Sequence, residues 1–316
     1  AERRQAPAMR EKEYGIWQTH SWSGMATLGE HLACGLHQAG LRQGEHLIVV
    51  GANRPRLSAT LLAAQSLGAV PIPLYQDAAA AECVFPITNA EVRFCVVEDQ
   101  EQVDKMLEVR ESCPGLAHIF YDDPRGLRNY QEDGLVAVDQ LLESGRAFAA
   151  SQPGFFKAEV GKLRPDDVAA MFFTSGTTGN PKGVVHTHRS LIDRARAGAD
   201  FDKLTSQEEV LAYLPPAWIG QNIFSYAQWL ACGYVVNCPE SAGTVMIDLK
   251  EIGPTYYFAP PRVFEGLLTS VMIRMEDAGA LKRRLFHACM RLAQRGGPAR
   301  MDGKPVGLGD SLLYAL

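Results

Sequence analysis

One short segment of the sequence combines a lysine with several hydroxyl side chains and three glycines. Residues 174–183 read TSGTTGNPKG, between the apolar run MFF and the strand-like GVVH. Glycine lets the backbone approach a ligand closely and lets successive N–H groups turn toward an anion. Serine and threonine hydroxyls add hydrogen-bond donors, and the lysine adds a full positive charge. This combination predicts a loop that grips the phosphates of a nucleotide, and ATP is the expected ligand.

The spacing of the segment differs from that of a Walker A loop, which requires G-x4-G-K-[ST]. Gly176 and Gly179 are too close together, and Lys182 is followed by Gly183 rather than by a hydroxyl residue. The residues GVVH predict a strand, and Thr187 has the character of a helix N-cap. The sequence therefore predicts a loop between two strands. From the residues alone, the alternative interpretation is a mobile turn that binds no ligand.

Two further segments place polar or aromatic side chains at the ends of predicted strands. Residues 213–221, YLPPAWIGQ, run from a strand through two prolines to a tryptophan that begins a helix. A tryptophan at such a corner either packs in the core or borders a pocket, and both readings stay open for Trp218. Asn53 and Arg54 follow another strand in GANRP, where a turn role competes with a functional one. Arg262 and Glu265 are spaced to pair on one helix face, and this structural role is favoured over a functional one.

Metal-ligand and disulfide patterns are weak in this sequence. His186 and His188 form an HxH pair, but no third ligand lies nearby, so we predict no metal site. The seven cysteines are scattered, without CxxC spacing, which argues against a disulfide framework. The apolar residues beside most of the cysteines indicate that these cysteines are small buried residues. A reducing cytoplasm fits this pattern.

Composition and charge narrow the class of protein. The chain has 316 residues, 47% of them hydrophobic and 21% charged, with a net charge of -5. These values are ordinary for a globular protein, and without a basic stripe along the chain we predict no nucleic-acid partner. No apolar run reaches transmembrane length. The chain opens AERRQAPAMR and closes SLLYAL, both of which look cut, so we expect a fragment and a targeting segment upstream remains an open alternative.

Apolar strands alternate with amphipathic helices along the chain, which predicts an α/β fold with parallel or mixed sheets. The alternation is interrupted over residues 122–166, which predicts a connection between two α/β subdomains at 1–165 and 166–316. Strands are predicted at 46–50, 70–75, 92–97, 118–121, 168–173, 183–186, 210–214, 234–237 and 256–258. Helices are predicted at 28–40, from Pro55 onward, and at 78–90, 100–112, 138–144, 189–199, 219–231, 261–278 and 281–295.

The segment FFTSGTTGNPKGVVHTH closely resembles the signature of the adenylate-forming (AMP-binding, ANL) superfamily. Other stretches are similar to its long-chain branch, the long-chain fatty acid–CoA ligases or acyl-CoA synthetases. They are REKEYGIWQTHSW, GANRP, GAVPIPLYQDAAAAE, VEDQEQVDKMLE, YLPPAWIGQ and PTYYFAPPRVFEGL. The resemblance spans nearly the whole chain. It implies the large N-terminal domain of an acyl-CoA synthetase-like fold, with two α/β subdomains of mixed or parallel sheets and the C-terminal domain absent.

The resemblance also implies a chemistry in two half-reactions. The carboxylate of a long-chain fatty acid would attack the α-phosphate of Mg2+-bound ATP and release pyrophosphate. The thiol of coenzyme A would then displace AMP from the acyl-adenylate and form the thioester. By position in the motif, the ATP phosphate-binding candidates are Thr174, Ser175, Gly176, Thr177, Thr178, Gly179 and Lys182. The acyl-pocket candidates are Trp218 and Gln221, because Trp218 resembles a tryptophan proposed to gate the fatty-acid tunnel. No residue of this chain is assigned as catalytic.

Several family motifs are missing from the sequence. We find no Tyr-Gly-x-Thr-Glu motif, no Ser/Thr-Gly-Asp motif, no hinge and no C-terminal lysine, all of which lie downstream in the family. The expectation is an N-terminal part of a longer enzyme that is inactive by itself. Its partners would be fatty acid, ATP and coenzyme A. Because long-chain fatty acids partition into membranes, peripheral contact with a membrane is a further expectation. Adenylation of an aromatic or amino acid, or a non-catalytic nucleotide-binding role, are the alternatives.

Overall fold

The computed structural model describes residues 3–174, 181–305 and 307. The chain folds into two compact units, Ala1–Tyr257 and Phe258–Leu316. The described strands all belong to the first unit, and the second contributes two helices. The boundary predicted near residue 166 does not coincide with this division, and it stays a prediction about subdomains within the larger unit.

The described residues form strands and helices in alternation through most of the first unit. The strands are β1 (Pro7–Glu13), β2 (Ile16–Ser21), β3 (His46–Val50), β4 (Val70–Leu74), β5 (Phe94–Val97), β6 (His118–Tyr121), β7 (Leu135–Ala137), β8 (Val168–Thr174), β9 (Lys182–Thr187), β10 (Glu209–Leu211) and β11 (Val235–Cys238). The helices are α1 (Trp22–Gln38), α2 (Pro55–Ser66), α3 (Ala80–Asn89), α4 (Gln100–Ser112), α5 (Val138–Ser151), α6 (Phe155–Val160), α7 (His188–Asp202), α8 (Ile219–Asn222), α9 (Gln228–Cys232), α10 (Val245–Ile252), α11 (Pro261–Glu276) and α12 (Ala280–Met301). A π-helical turn, Ile223–Ala227, joins α8 to α9.

Three sheets organise these elements. Sheet A has the order β10-β11-β1-β2, with parallel pairs except for the antiparallel β1–β2 hairpin. Sheet B has the order β4-β3-β5-β6-β7 and is parallel throughout. Sheet C is the antiparallel hairpin of β8 and β9. The expected α/β fold with mixed and parallel sheets is confirmed.

Successive residues of sheet B enter two different cores because side chains alternate along a strand. Leu47 and Val49 on β3 join residues of sheet A, α1 and α2 in the first core. Ile48 and Val50 join residues of α3 and α4 in the second. Helices α1 and α2 therefore lie between the two sheets, and α3 and α4 cover the far face of sheet B. Such two-sided burial explains why the strands read as continuous apolar runs.

The predicted elements agree with the observed ones best where the periodicity is strong. Helix α4 and strand β6 have the predicted bounds, whereas α5 extends beyond the predicted end at residue 144. The helix predicted over 219–231 is interrupted by the π-helical turn. The strand predicted over 256–258 is a single bridge between Val210 and Tyr256. The β1–β2 hairpin, β7, α6 and α10 were not predicted.

The cysteine side chains follow the expectation of small core residues in most cases. Five are buried, Cys232 is half-buried and Cys289 is exposed, and all seven are free thiols. Burial raises the pKa of Cys34 and of Cys83 to about 11. Thiols with such pKa values stay protonated near neutral pH and are poor nucleophiles.

Helices α1 and α5 cross at two glycines. A Cβ on Gly145 would lie 2.7 Å from the backbone nitrogen of Gly35 and would overlap the carbonyl oxygen of His31. A Cβ on Gly35 would overlap the carbonyl oxygen of Leu141. Because backbone atoms cannot move aside as a flexible side chain can, this crossing requires glycine at both positions.

A buried ion pair links β1, an inner strand of sheet A, to α10. The Lys12 ammonium donates to Asp248 Oδ1 at 2.8 Å and to Glu251 Oε2 at 2.6 Å. Asp248 is fully buried, and its Oδ2 accepts from the Thr244 hydroxyl at 2.7 Å and from the Glu240 backbone N–H at 3.1 Å. Burial alone would raise the pKa of Asp248, but these hydrogen bonds outweigh it and hold the pKa below its usual value.

Replacing Lys12 with methionine is expected to lower the melting temperature at neutral pH, because it leaves Asp248 buried without its cation. The hydrogen bonds to Asp248 and Glu251 raise the pKa of Lys12, so its stabilising contribution is complete below the unfolded value near 10.5 and is lost as the pH rises through the folded value. The contribution of Asp248 is present above the unfolded pKa of about 3.9 and is lost as the pH falls through its lower folded pKa. Thermal unfolding across this pH range tests both directions.

The matched control for this prediction is Lys162→Met. Lys162 forms a 2.6 Å ion pair with Glu159, but its side chain is 60% exposed, and exposed pairs contribute little. An equal loss of melting temperature in the two variants would contradict the role assigned to the buried pair.

Candidate functional site

The two residues that flank the predicted phosphate loop on either side are paired with each other in sheet C. Thr174, the last residue of β8, is the register partner of Lys182, the first residue of β9. Directly opposed residues of an antiparallel pair have Cα atoms about 4.5–5.5 Å apart. The hairpin therefore holds both ends of the loop together, and both side chains are exposed. The remaining phosphate-binding candidates lie outside the described residues: Ser175, Gly176, Thr177, Thr178 and Gly179.

The residues after the loop form a strand and then a helix, as predicted. Strand β9 ends at Thr187, whose side chain accepts a hydrogen bond from the Ser190 backbone N–H at 3.1 Å and so caps α7. The segment is followed by strand β9 rather than by a helix, which differs from a Walker A loop, because that loop leads directly into a helix. The role of the individual residues as phosphate ligands stays a prediction.

Gln65 on α2 connects the phosphate hairpin to the helical turn that follows the second motif. Its Nε2 donates to the carbonyl oxygen of Ala169 on β8 at 2.9 Å, and its Oε1 accepts from the Tyr226 hydroxyl at 2.7 Å. Gln65 is 8% exposed and Tyr226 is 6% exposed. Burial raises the pKa of Tyr226, so its hydroxyl remains a donor over the physiological range. This chain of buried hydrogen bonds sets the position of β8 relative to the π-helical turn.

The acyl-side candidates are placed differently from each other. Gln221 is buried and lines a mostly apolar cavity of about 30 Å³, together with the polar side chains of Asn53, Asn222 and Ser225. Gln221 Nε2 lies 3.4 Å from Asn53 Oδ1. Asn222 Oδ1 is buried and has no hydrogen-bond partner within the described part of the chain. Room of this size is enough for about one or two water molecules.

Trp218 is half-buried and precedes α8, outside the lining of this cavity. A Cβ built on Gly220 would lie 2.6–2.7 Å from three carbon atoms of the indole ring. The ring therefore folds back over the next turn of its own chain, and only glycine at residue 220 leaves room for it. The alternative readings of Trp218, a core residue or a pocket wall, are not separated by this placement.

The GANRP turn has a larger structural role than its sequence indicated. The Arg54 guanidinium donates to Glu98 Oε1 at 2.8 Å, to the Pro239 carbonyl at 2.7 Å and to the Glu240 carbonyl at 2.8 Å. Asn53 Nδ2 donates to the carbonyl oxygen of Leu214 at 2.8 Å. The two side chains thus tie the carboxyl end of sheet B to that of sheet A, beside the YLPPAW segment. A polar pair separated by two residues from the end of a buried strand was the available signal.

Metal ligands do not assemble in the part of the chain that the structure describes: no group of three or more His, Cys, Asp or Glu side chains comes together there. His186 lies on β9 beside the ring of Phe172, and burial lowers its pKa. His188 begins α7, and burial lowers its pKa as well. Over the same residues, no helix combines the length and the apolar character needed to cross a bilayer.

Comparison with known proteins agrees with this architecture. The sequence matches the family described as AMP-binding enzyme over residues 1–299. It is 26% identical to the human long-chain-fatty-acid–CoA ligase ACSBG2, over 94% of this chain but only 45% of that protein. The chain thus spans less than half the length of this relative.

Solved structures of similar fold share less sequence. The adenylation domain of a carboxylate reductase from Mycobacterium chelonae superposes with a TM-score of 0.73 at 17% identity, covering 87% of this chain and 46% of that one. The anthranilate CoA ligase AuaEII, solved with anthranoyl-AMP, gives a TM-score of 0.70 at 17% identity, covering 81% and 47%. At these identities the likeness establishes the fold alone. The family match over most of the sequence establishes that this chain belongs to the AMP-binding enzymes, the adenylate-forming ligases.

Proposed function

We propose that this chain is part of a ligase that activates a long-chain fatty acid with ATP through an acyl-adenylate and then transfers the acyl group to coenzyme A. The observation that carries the proposal is the TSGTTGNPKG segment, whose ends are held together at the Thr174–Lys182 pair. Similarity to a long-chain ligase over 94% of this chain supports the choice of acid.

In this proposal the loop acts by position and charge. Its backbone N–H groups, its hydroxyls and Lys182 would hold the β- and γ-phosphates and stabilise the departing pyrophosphate. The carboxylate of the substrate is itself the nucleophile, so the chain needs no nucleophilic side chain and works by orienting the reactants. Mg2+ would supply further charge neutralisation when bound, and the described residues offer no dedicated cage for it.

The acyl side would have to open before a long chain could enter. The cavity beside Gln221 measures about 30 Å³, whereas pockets for small organic ligands are on the order of 300–1,000 Å³. The indole ring of Trp218 lies over Gly220, one residue before Gln221. We therefore propose that movement of Trp218 and of the following turn accompanies acyl binding.

Replacing Trp218 with alanine is expected to change the preference among acids rather than to abolish activity. Removing the ring opens the turn at Gly220, so the ratio of kcat/KM values between long and short acids should change by about 10-fold or more. Adenylation kinetics with a chain-length series measure this ratio. Trp17→Ala, at a partly exposed indole on β2, is the control and should leave the ratio unchanged. An unchanged ratio in Trp218→Ala would assign this residue to packing alone.

The proposed function is tested by acid-dependent ATP–pyrophosphate exchange with the longest polypeptide that the gene encodes. The panel runs from acetate to oleate and includes anthranilate and amino acids. Exchange that peaks at long-chain acids supports the proposal. Exchange only with aromatic or amino acids would replace the proposed substrate, and no exchange with any acid would favour a non-catalytic role. We expect the 316-residue chain alone to be inactive in this assay.

We place the ligase in the cytoplasm, in line with its free thiols. Separation of the cytoplasm from oxidising compartments, with detection of the protein in each fraction, tests this placement. Recovery from an oxidising compartment would overturn it.

A further inference from the structure

The small cavity beside Gln221 has a lining of mixed character. It lies near the carboxyl ends of β3 and β11, between α2 and the π-helical turn, and measures about 30 Å³. Most of the lining is apolar, with four amide or hydroxyl side chains in it: Asn53, Gln221, Asn222 and Ser225. Gln221, Asn222 and Ser225 are 3%, 5% and 8% exposed. Because buried polar groups are costly without hydrogen-bond partners, a purely hydrocarbon ligand is a poor match for this lining.

Asn222 is the polar residue of the lining whose hydrogen-bonding capacity is least used. Its Oδ1 is buried and has no hydrogen-bond partner among the residues that the structure describes. The neighbouring amide is weakly paired, since Gln221 Nε2 lies 3.4 Å from Asn53 Oδ1, beyond the usual range of about 2.7–3.2 Å. The cavity therefore presents an acceptor that lacks a donor, next to a donor whose own hydrogen bond is long.

The charge on the lining narrows the kind of group that can meet Asn222. Of the described residues that line the cavity, only Arg54 is charged at neutral pH. Its guanidinium already donates to Glu98 Oε1 and to the carbonyl oxygens of Pro239 and Glu240. A carboxylate or an ammonium group on the ligand would therefore be buried without a partner of opposite charge, at a large cost. A neutral group that both donates and accepts is the match, and a hydroxyl has both capacities.

A substrate hydroxyl can take the place of water beside Asn222. The cavity has room for about one or two water molecules, which can hydrogen-bond to Asn222 before an acid binds. A ligand group that displaces bound water loses affinity unless it reproduces the hydrogen bonds of the water, which a hydroxyl can do and a methylene cannot. Given the ligase function proposed above, on which this inference rests, we propose that the site selects a long-chain acid with a hydroxyl group on its chain, and that Asn222 accepts a hydrogen bond from that hydroxyl.

The test compares acids of one chain length in ATP–pyrophosphate exchange with the full-length enzyme. Stearate is compared with three derivatives that are hydroxylated next to the carboxylate, in the middle of the chain or at its far end. The chains thus differ only by one oxygen atom and its position. We expect kcat/KM to be higher by about 10-fold or more for one of the derivatives than for stearate, because stearate leaves the buried Oδ1 of Asn222 without a donor.

Two substitutions of Asn222 test the assignment of the hydroxyl to this residue. Asn222→Leu keeps a branched side chain without its polar atoms, and Asn222→Ala removes the same acceptor without filling the cavity. In both variants the ratio of the two kcat/KM values should fall to about 1, because neither side chain can accept a hydrogen bond. A fall in both variants assigns the effect to the lost acceptor rather than to the volume of the new side chain.

Gln228→Met is the matched control, because it also removes a buried amide without hydrogen-bond partners. Gln228 on α9 is fully buried, and neither polar atom of its amide has a partner in the described part of the protein. It does not line the cavity. The variant should therefore keep the wild-type ratio, and melting temperatures confirm that all three variants are folded.

The outcomes separate the hydroxyl preference from the ligase function. Exchange with no acid at all would reject the ligase function and this inference with it. If the wild type uses stearate as well as or better than every derivative, the hydroxyl preference is overturned while the ligase function stands. A preference that persists in both Asn222 variants, or that Gln228→Met also removes, would overturn the role of Asn222.

Discussion

Replacing Lys182 with alanine is expected to slow ATP–pyrophosphate exchange in the full-length enzyme by about 100-fold or more. Lys182 lies at the neck of the loop, opposite Thr174 and exposed to solvent. Loss of one donor that stabilises developing charge typically slows an enzyme by about 100- to 1,000-fold. The melting temperature should stay the same, because an exposed side chain at the end of a hairpin contributes little to folding.

Lys250→Ala is the matched control for this experiment. Lys250 is an exposed lysine of α10, with no assigned role in nucleotide binding. Exchange should remain at the wild-type rate in this variant. If Lys182→Ala also exchanges at the wild-type rate, Lys182 is not a phosphate ligand. If both variants lose activity alike, the effect belongs to the overall charge of the protein.

Replacing Gly145 with alanine is expected to lower the free energy of unfolding by about 3 kcal/mol, at the upper end of typical overpacking effects. The added methyl group would overlap the carbonyl oxygen of His31 on α1 and would approach the backbone nitrogen of Gly35. The two helices must separate to make room, which also disturbs the core between sheets A and B. Denaturant unfolding followed by circular dichroism measures the change.

Gly115→Ala is the control, because Gly115 is exposed and a Cβ there would have no heavy atom within 4 Å. Its φ angle also falls outside the left-handed region, so alanine is tolerated. This variant should be neutral or slightly more stable, since alanine restricts the unfolded chain more than glycine does. Equal stability of the two variants would show that the α1–α5 crossing has room to adapt.

The parts of the fold that could be predicted are those in which one local signal dominates. Strand β3 is a run of buried apolar residues between two turn signals, and Pro55 marks the start of α2. Strand β9 and the N-cap at Thr187 could be predicted from the residues GVVHT that end and follow the motif. The β1–β2 hairpin could not, because its mostly polar residues show no alternation of buried and exposed positions, and because its pairing partner β11 lies more than 200 residues away.

The candidate site also has one part that a local motif predicts and another part that depends on contacts between distant residues. The motif and its neighbours predicted the two flanking strands, β8 and β9, whereas phosphate binding by the segment between them stays a prediction. The placement of Gln221 in a small cavity depends on Asn53 and on the π-helical turn, which belong to distant parts of the chain. Gln65 gave no signal in the sequence, although its amide joins β8 to Tyr226. These hydrogen bonds join residues that are far apart in the sequence and form only when the sheets pack together. A local sequence pattern therefore cannot predict them.

The central position of β1 in sheet A has a consequence for biosynthesis. Strand β1 pairs with β2 at once, but its other edge must wait for Val236 to Cys238 of β11 to emerge from the ribosome. At typical elongation rates this delay is roughly 10–45 s. During that time an unpaired strand edge is open to wrong partners on neighbouring nascent chains. Chaperone dependence during translation, rather than instability of the finished protein, should therefore limit the yield of this chain.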